Sequence, residues 1–417
     1  MRHLTVCLML AGAAFAQPPG TNYDESKVPG YTLPELLKLN SGEAVKDAKT
    51  WREKRRPEVF SLLEGQMFGK APGRHERMTF ELTSLEPNAL GGKAVRKEIA
   101  ITTAGKTMSL LLYLPKDAKG PAPVFLGLNF QGNHAVTKEA GVKLAMTWPR
   151  TAKEAEAGAK QALETSRGAA ASRWPVELIL SKGYGLATIY YCDIEPDFNG
   201  GMKHGVRPHY LRGKAEAPDD WAAIAAWAWG LSRAMDYLEN DRAVDAKKVA
   251  VMGHSRLGKT SLWAGAADER FAIVISNNSG EGGAAISRRM FGENVKNLNT
   301  SFPHWFTGNY KQYNERVAEM GFDSHMLIGL IAPRPVYIAS AEEDRWADPR
   351  GEFLGAAAAS PVWRLYGKKG IETDKMPGLH EPVGDAVGYH IRAGKHDVTD
   401  YDWEQWIRFA DRHFGRR

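Results

Sequence analysis

Along the chain, apolar runs and helical periodicities take turns. The segment PAPVFLGLNFQG, bounded by proline and glycine and almost wholly apolar between them, has the character of a strand buried on both faces. After it come a strand in GYGLATIYYCD, a helix in DDWAAIAAWAWGLSRAMDYLEND, a strand in KKVAVMG and a helix in SRLGKTSLWAGAAD. Strands in FAIVISNNS and RPVYIASAEED and a final helix in DWEQWIRFADRHF complete the series. Such alternation predicts an α/β fold, a three-layer sandwich whose central sheet is mostly parallel and covered on both faces. Upstream, KAVRKEIAITT and KTMSLLLYLPKD are separated by Ala104-Gly105 and read as an antiparallel hairpin.

Residues 17 to about 75 are rich in proline, glycine and charge, with one amphipathic stretch, DAKTWREKRRPEVFSLLEGQMFG. They are expected to form an N-terminal arm packing on a main domain of residues 76–417. Two connections exceed what the sheet needs. One runs from Asn133 to about Lys182 and carries a helical pattern in AKEAEAGAKQALETSRGAAA; the other, from Gly280 to about Ala332, is studded with aromatic and polar residues. Long connections in a compact domain are commonly functional loops or lids. With no internal repeat or long linker, one domain with two insertions is the simplest organisation.

Composition changes this picture little. The 417 residues are 43% apolar and 25% charged, which is ordinary for a globular chain. The N-terminus differs: Arg2 and His3 precede LTVCLMLAGAAF, and Ala14-Phe15-Ala16 before Gln17 has the form of a signal-peptidase site. Residues 1–16 are therefore expected to be a signal peptide. No later stretch is long and apolar enough for a membrane span, and Cys7 lacks the small-residue context of a lipidated cysteine, so a periplasmic or secreted protein without a membrane anchor is expected. Cys192 is then the one remaining cysteine. It can form neither an intrachain disulfide nor a cysteine metal site, and reads as a small buried residue. A net charge of +6 without a basic block argues against nucleic acid and tolerates an acidic polysaccharide. A monomer is expected.

Candidate chemistry begins at GHSRLGK, directly after KVAVM. Ser255 is either a nucleophile on a tight strand-to-helix turn or a serine that starts a helix. The usual elbow is G-x-S-x-G, and here the second glycine comes late, at Gly258. A serine nucleophile needs a base and an acid that orients the base, following in the order serine, acid, histidine. That order is present: Asp344 ends the strand pattern of YIASAEEDRWADP, and His396 lies in GYHIRAGKHDVTDYDW before the last helix. His254 sits on the turn itself, where a neighbour of the serine points elsewhere, and His390 lies in the strand-like VGYHIRAG as a packed histidine. The acid stays open between the favoured Asp344 and its alternatives Glu342, Glu343, Asp348 and, from the earlier loop NNSGEGGAA, Glu281. Oxyanion donors are expected from the backbone N–H of Arg256, with its guanidinium adding charge, and from the loop near Gln131.

These residues carry a resemblance. GHSRLGK, with arginine after the serine and lysine four beyond it, resembles the signature of glucuronoyl esterases, the family 15 carbohydrate esterases. GENVKN, EEDRWADP and GKHDVTDYDW resemble segments of the bacterial members, so the likeness runs from about residue 100 to the end. It implies an α/β-hydrolase fold and hydrolysis, without metal or other cofactor, of the ester between 4-O-methylglucuronic acid branches of xylan and lignin alcohols. The partner would be glucuronoxylan or a lignin-carbohydrate ester. By the same resemblance Ser255 is the nucleophile, His396 the base and Arg256 an oxyanion stabiliser, while Lys259, Glu293 and Trp346 contact the sugar hydroxyls and ring. One departure stands out: where many fungal members carry a catalytic glutamate, this chain has Asn277 and Asn278, which favours Asp344. The connection from Asn133 to Lys182 is similar to insertions that deepen the pocket of bacterial enzymes. Alternatives are an acetyl xylan esterase or other carbohydrate deacetylase, and a noncatalytic carbohydrate-binding protein on a hydrolase scaffold.

Overall fold

The computed structural model describes residues 21–74 and 77–416; the expected signal peptide lies outside the described residues. Its strands are β1 (Thr79–Asn88), β2 (Ala94–Thr103), β3 (Lys106–Pro115), β4 (Ala122–Asn129), β5 (Gly185–Tyr190), β6 (Val244–His254), β7 (Ile273–Asn277), β8 (Val336–Ala341), β9 (Val383–Gly384) and β10 (Val387–Arg392). All ten join one sheet in the order β1-β2-β3-β5-β4-β6-β7-β8-β10-β9. The five pairings from β5 to β10 are parallel, and the outer ones are antiparallel. The hairpin joining β2 to β3 pairs Thr103 with Lys106 and puts Ala104 (φ 51°) and Gly105 (φ 71°) in the left-handed region. This is the two-residue turn whose twist matches that of its strands.

Helices α1 (Arg56–Leu63), α2 (Val176–Ser181), α3 (Ala223–Leu238), α4 (Arg256–Ala267), α5 (Pro349–Ala359) and α6 (Asp400–Phe414) cover the sheet. Strand alternation assigns the faces. Val124, Leu126 and Leu128 of β4 join the core formed with α3, α4 and α5, whereas Phe125 joins Trp403 and Ile179 on the opposite side with α2 and α6. Each central strand is thus buried twice over, which is why β4 reads as a continuous apolar run. The three-layer arrangement agrees with the pattern of the sequence. Trp51, Val59, Leu63, Met67 and Phe68 of the N-terminal segment enter the first core, with Phe68 stacked on Trp263 at 4.3 Å between ring centroids.

The helical pattern at 152–171 is not realised. Only Ala152–Ala155 forms an α turn; Lys160–Gln161 pairs with Met146–Thr147, and short 3-10 turns follow. Gly158 sits at φ 76° and Leu163 is 72% exposed, so a helix here would break at the glycine and bury no apolar stripe. A short helix without such packing does not hold in water. Conversely, α5 escaped prediction because GEFLGAAAA carries two glycines; Asp348 starts it by accepting from the Gly351 N–H at 3.0 Å.

The carboxyl ends of β5, β6, β7, β8 and β10 point to one edge of the sheet, which brings Asp197, Ser255, Asn278, Asp344 and His396 to the same rim. Crevices outside the carboxyl ends of parallel strands are the usual place for a site in such a sheet.

Candidate active site

The turn between β6 and α4 is strained at its centre. Ser255 has φ 59° and ψ −130°, a conformation that costs a non-glycine residue about 1–3 kcal/mol. Glycine is required two residues earlier: a Cβ on Gly253 would lie 1.8 Å from the Leu257 carbonyl oxygen. The late glycine, Gly258, lets α4 pack on β7, where a Cβ would meet Ser276 and Ser279 at 3.1 and 3.0 Å. Ser255 N–H donates to the Asn277 carbonyl at 2.9 Å, pinning the turn to β7. The Ser255 side chain does not cap the helix. Its hydroxyl has no hydrogen-bond partner among the described residues, His396 included.

His396 lies beside that turn, its ring 4.4 Å from that of His254 between centroids. Its Nδ1–H donates to Asp344 Oδ2 at 2.5 Å, which leaves Nε2 as the nitrogen able to accept a proton. Asp344 is buried, and the same oxygen accepts from Asn278 Nδ2 at 2.7 Å. Burial alone would raise its pKa, but the bonds from His396 and Asn278 hold the carboxyl below the usual range. Asn278, at φ 48°, is kept in place by its N–H donating to the Ala339 carbonyl. His254 is buried, which lowers its pKa well below the ordinary value, and its Nδ1 lies 2.9 Å from Asn277 Nδ2. The two asparagines therefore steady the rim around both imidazoles.

The other candidates lie elsewhere. Glu281 Oε1 accepts from Ser287 Oγ, Tyr310 OH and its neighbour Gly282 N–H at 2.7, 3.0 and 3.0 Å, with no bond to His396 among the described residues. Asp348 binds Arg289 and caps α5, Glu342 and Glu343 are exposed, and His390 is buried between Asp402 (2.9 Å) and the Tyr337 hydroxyl (3.1 Å). Cys192 is buried, which pushes its thiol up to about 12.

A buried carboxyl also ties the rim from below. Glu352 of α5 accepts from the N–H groups of Ser279 and Gly280 and from the hydroxyls of Ser279 and Ser340. Burial pushes Glu281 and Glu352 each up to about 8, against ~4.3 for an unfolded glutamate. Between those values the folded chain keeps protons that the unfolded chain releases, so these groups lower stability progressively as pH rises from about 5 through 8. The thermal midpoint should be lower at pH 9 than at pH 5.5, and Glu281→Gln, which cannot ionise, should narrow the gap. An undiminished gap in that variant would contradict this account.

Lys259, one turn along α4 from Ser255, is buried with Nζ 2.6 Å from the Ser279 carbonyl and 3.3 Å from Glu293 Oε2. Glu293 N–H donates to the Trp346 carbonyl at 2.8 Å, so the insertion carrying Glu293 is tied to the loop after β8. Trp346 is half-buried. Near the other expected oxyanion donor, Gln131 is exposed, and the adjoining Gly132 N–H is engaged by Asn129 Oδ1 at 2.7 Å.

Arg256 shows what the sequence concealed. Its guanidinium pairs with Asp197, from the loop after β5, and lies over Trp305, 4.6 Å from the ring centroid. Asp197 Oδ1 also accepts from Trp305 Nε1 and His304 Nε2, each at 2.8 Å. The one available signal for Asp197 was its place past the carboxyl end of a parallel strand, which Asp193 shares. No group of three or more metal-ligating side chains, and no helix long and apolar enough to cross a membrane, occurs among the described residues.

Comparisons with known proteins place the chain among carbohydrate esterases. A family model described as glucuronyl esterase, fungi, matches residues 216–367. The carbohydrate esterase MZ0003 of an unknown prokaryotic organism is 52% identical over 405 residues, spanning 96% of this chain and 93% of its own length. Among solved structures, a glucuronoyl esterase from Solibacter usitatus superposes with a TM-score of 0.90 at 59% identity, over 94% of this chain and all of the other. A promiscuous CE15 esterase from a marine bacterial metagenome follows at 0.87 and 51%, again over 94% and 100% of the two chains.

Proposed function

The chain belongs to the glucuronoyl esterases of carbohydrate esterase family 15, and from that premise we propose that it is a serine esterase that hydrolyses esters of 4-O-methylglucuronic acid on xylan with lignin alcohols. The observation that carries this reading is the buried Asp344 carboxylate holding His396 Nδ1 beside the strained turn of Ser255. Ser255 Oγ attacks the C6 carbonyl of the uronate while His396 Nε2 takes its proton. Their hydrogen bond forms in the substrate complex, where catalytic hydrogen bonds commonly tighten. The oxyanion is stabilised by the Arg256 backbone N–H, at the start of α4, and by its guanidinium. His396 then protonates the leaving alcohol. Water, activated by the same imidazole, attacks the glucuronoyl-enzyme and releases the acid and Ser255.

Lys259 and Glu293 suit the uronate ring: an ammonium and a carboxylate 3.3 Å apart offer a donor and an acceptor to adjacent hydroxyls. Trp346 supplies a flat wall beside them. Neither the ordinary net charge nor the apolar leader conflicts with an exported enzyme acting on an acidic polysaccharide.

The reading is tested by comparing kcat/KM for the benzyl ester of glucuronic acid with acetate release from acetylated xylan. The uronate ester should be preferred by ~10²-fold or more, because a site built to pair with substrate hydroxyls rejects substrates that leave those groups unpaired. Predominant deacetylation would replace this proposal with a carbohydrate deacetylase, a live contrast given a relative described as a promiscuous esterase.

A further inference from the structure

Arg256 is held on one side only. Its Nη1 pairs with Asp197 Oδ2, whereas its Nε–H is buried and has no partner among the described residues. Burying a donor without an acceptor is unfavourable, and at the rim beside Ser255 an acceptor supplied by the substrate would complete it. The guanidinium lies against Trp305 and Phe302, whose rings stack on each other at 3.8 Å and lie 4.6 and 5.3 Å from its carbon.

Asp197 is the fixed point of this arrangement. It is buried, and its two oxygens accept from four donors on three segments: Tyr191 OH at 2.9 Å, Arg256, and the adjacent His304 Nε2 and Trp305 Nε1. Tyr191 follows β5, Arg256 opens α4, and His304 and Trp305 come from the long insertion, so three regions meet at one carboxylate. The pair with Arg256 engages a single guanidinium nitrogen, which leaves the Nε edge free. An arginine with a fixed anchor and an unpaired donor is preorganised for a charge that develops during reaction.

We propose that Asp197 is a positioning residue for ester hydrolysis: it fixes the guanidinium of Arg256 so that the unpaired Nε–H edge meets the oxygen that becomes negative when Ser255 attacks. The inference rests on the assignment of Arg256 as an oxyanion stabiliser.

The test is a double-mutant cycle of Asp197→Ala and Arg256→Ala on a benzyl glucuronate ester, with thermal midpoints measured for every variant. Asp197→Ala should lower kcat by about 10- to 100-fold, the scale of a misplaced reacting group, while KM changes by less than about threefold. The double variant should be no more than about threefold slower than Arg256→Ala, because the two act as one unit. Asp197→Glu should recover part of the loss. If Asp197→Ala does not fold, the nearly isosteric Asp197→Asn takes its place in the cycle. Near-native kcat for Arg256→Ala would overturn the assignment of Arg256 itself. A crippled Arg256→Ala beside an unaffected Asp197→Ala, or equal losses from Asp197→Ala with and without Arg256, would leave that assignment intact and overturn the positioning role.

Discussion

Ser255→Ala is expected to lower kcat on a benzyl glucuronate ester by ~10⁶-fold while substrate still binds and the fold survives. The magnitude follows from the chemistry: without Oγ there is no acyl-enzyme route, and only binding and oxyanion stabilisation act on an attacking water. The expectation that the fold survives follows from the structure. Ser255 caps nothing with its side chain, and its backbone bond to Asn277 does not involve Oγ, so alanine removes no cap and leaves that bond in place. Stopped turnover assays, calorimetric titration with the uronic acid product and a thermal melt separate the three quantities. A variant that keeps more than ~1% of turnover would mean that Ser255 is not the nucleophile.

Asp344→Asn is the next largest effect, an expected ~10⁴-fold loss in kcat. One oxygen of Asp344 accepts from both His396 Nδ1 and Asn278 Nδ2. An amide oxygen in the same place would accept from both but carry no charge to stabilise the imidazolium, and an amide turned over would present its NH₂ to both. In the turned-over form the imidazole proton moves to Nε2, which then no longer accepts from the serine. Glu281→Gln, assayed alongside, should stay within about tenfold of the native rate, since Glu281 is bonded to Ser287 and Tyr310. Reversal of the two effects would transfer the acid to Glu281.

Much of the scaffold was legible because central strands buried on both faces have no choice of composition. β4, β6 and β8 appear in the sequence as apolar runs, and the long helices α3, α4 and α6 lie where the sequence patterns place them. Segments whose stability comes from long-range contacts were not legible. The stretch 152–171 has helix-forming composition but no surface to bury, and α5 has helix-breaking glycines that packing tolerates. The site divides in the same way. Ser255, Asp344 and His396 stand at the ends of recognisable strands and before a recognisable helix. Asp197 does not stand out from Asp193, four residues before it, whose carboxylate accepts instead from the Ser109 N–H at 3.0 Å. Only the path of the chain through the 3-10 turn Tyr191–Asp193 decides which of the two reaches the rim. Asn278 was noticed for the glutamate it lacks, whereas its amide donates to Asp344.

The Glu352 carboxyl gives this enzyme a remote dependency. By clasping Ser279 and Gly280 beyond β7 and Ser340 near the end of β8, it makes the loops bearing Asn278 and Asp344 shift together or not at all. Inherited changes at this α5 carboxyl, which bonds to none of the reacting groups, would therefore surface as slower turnover.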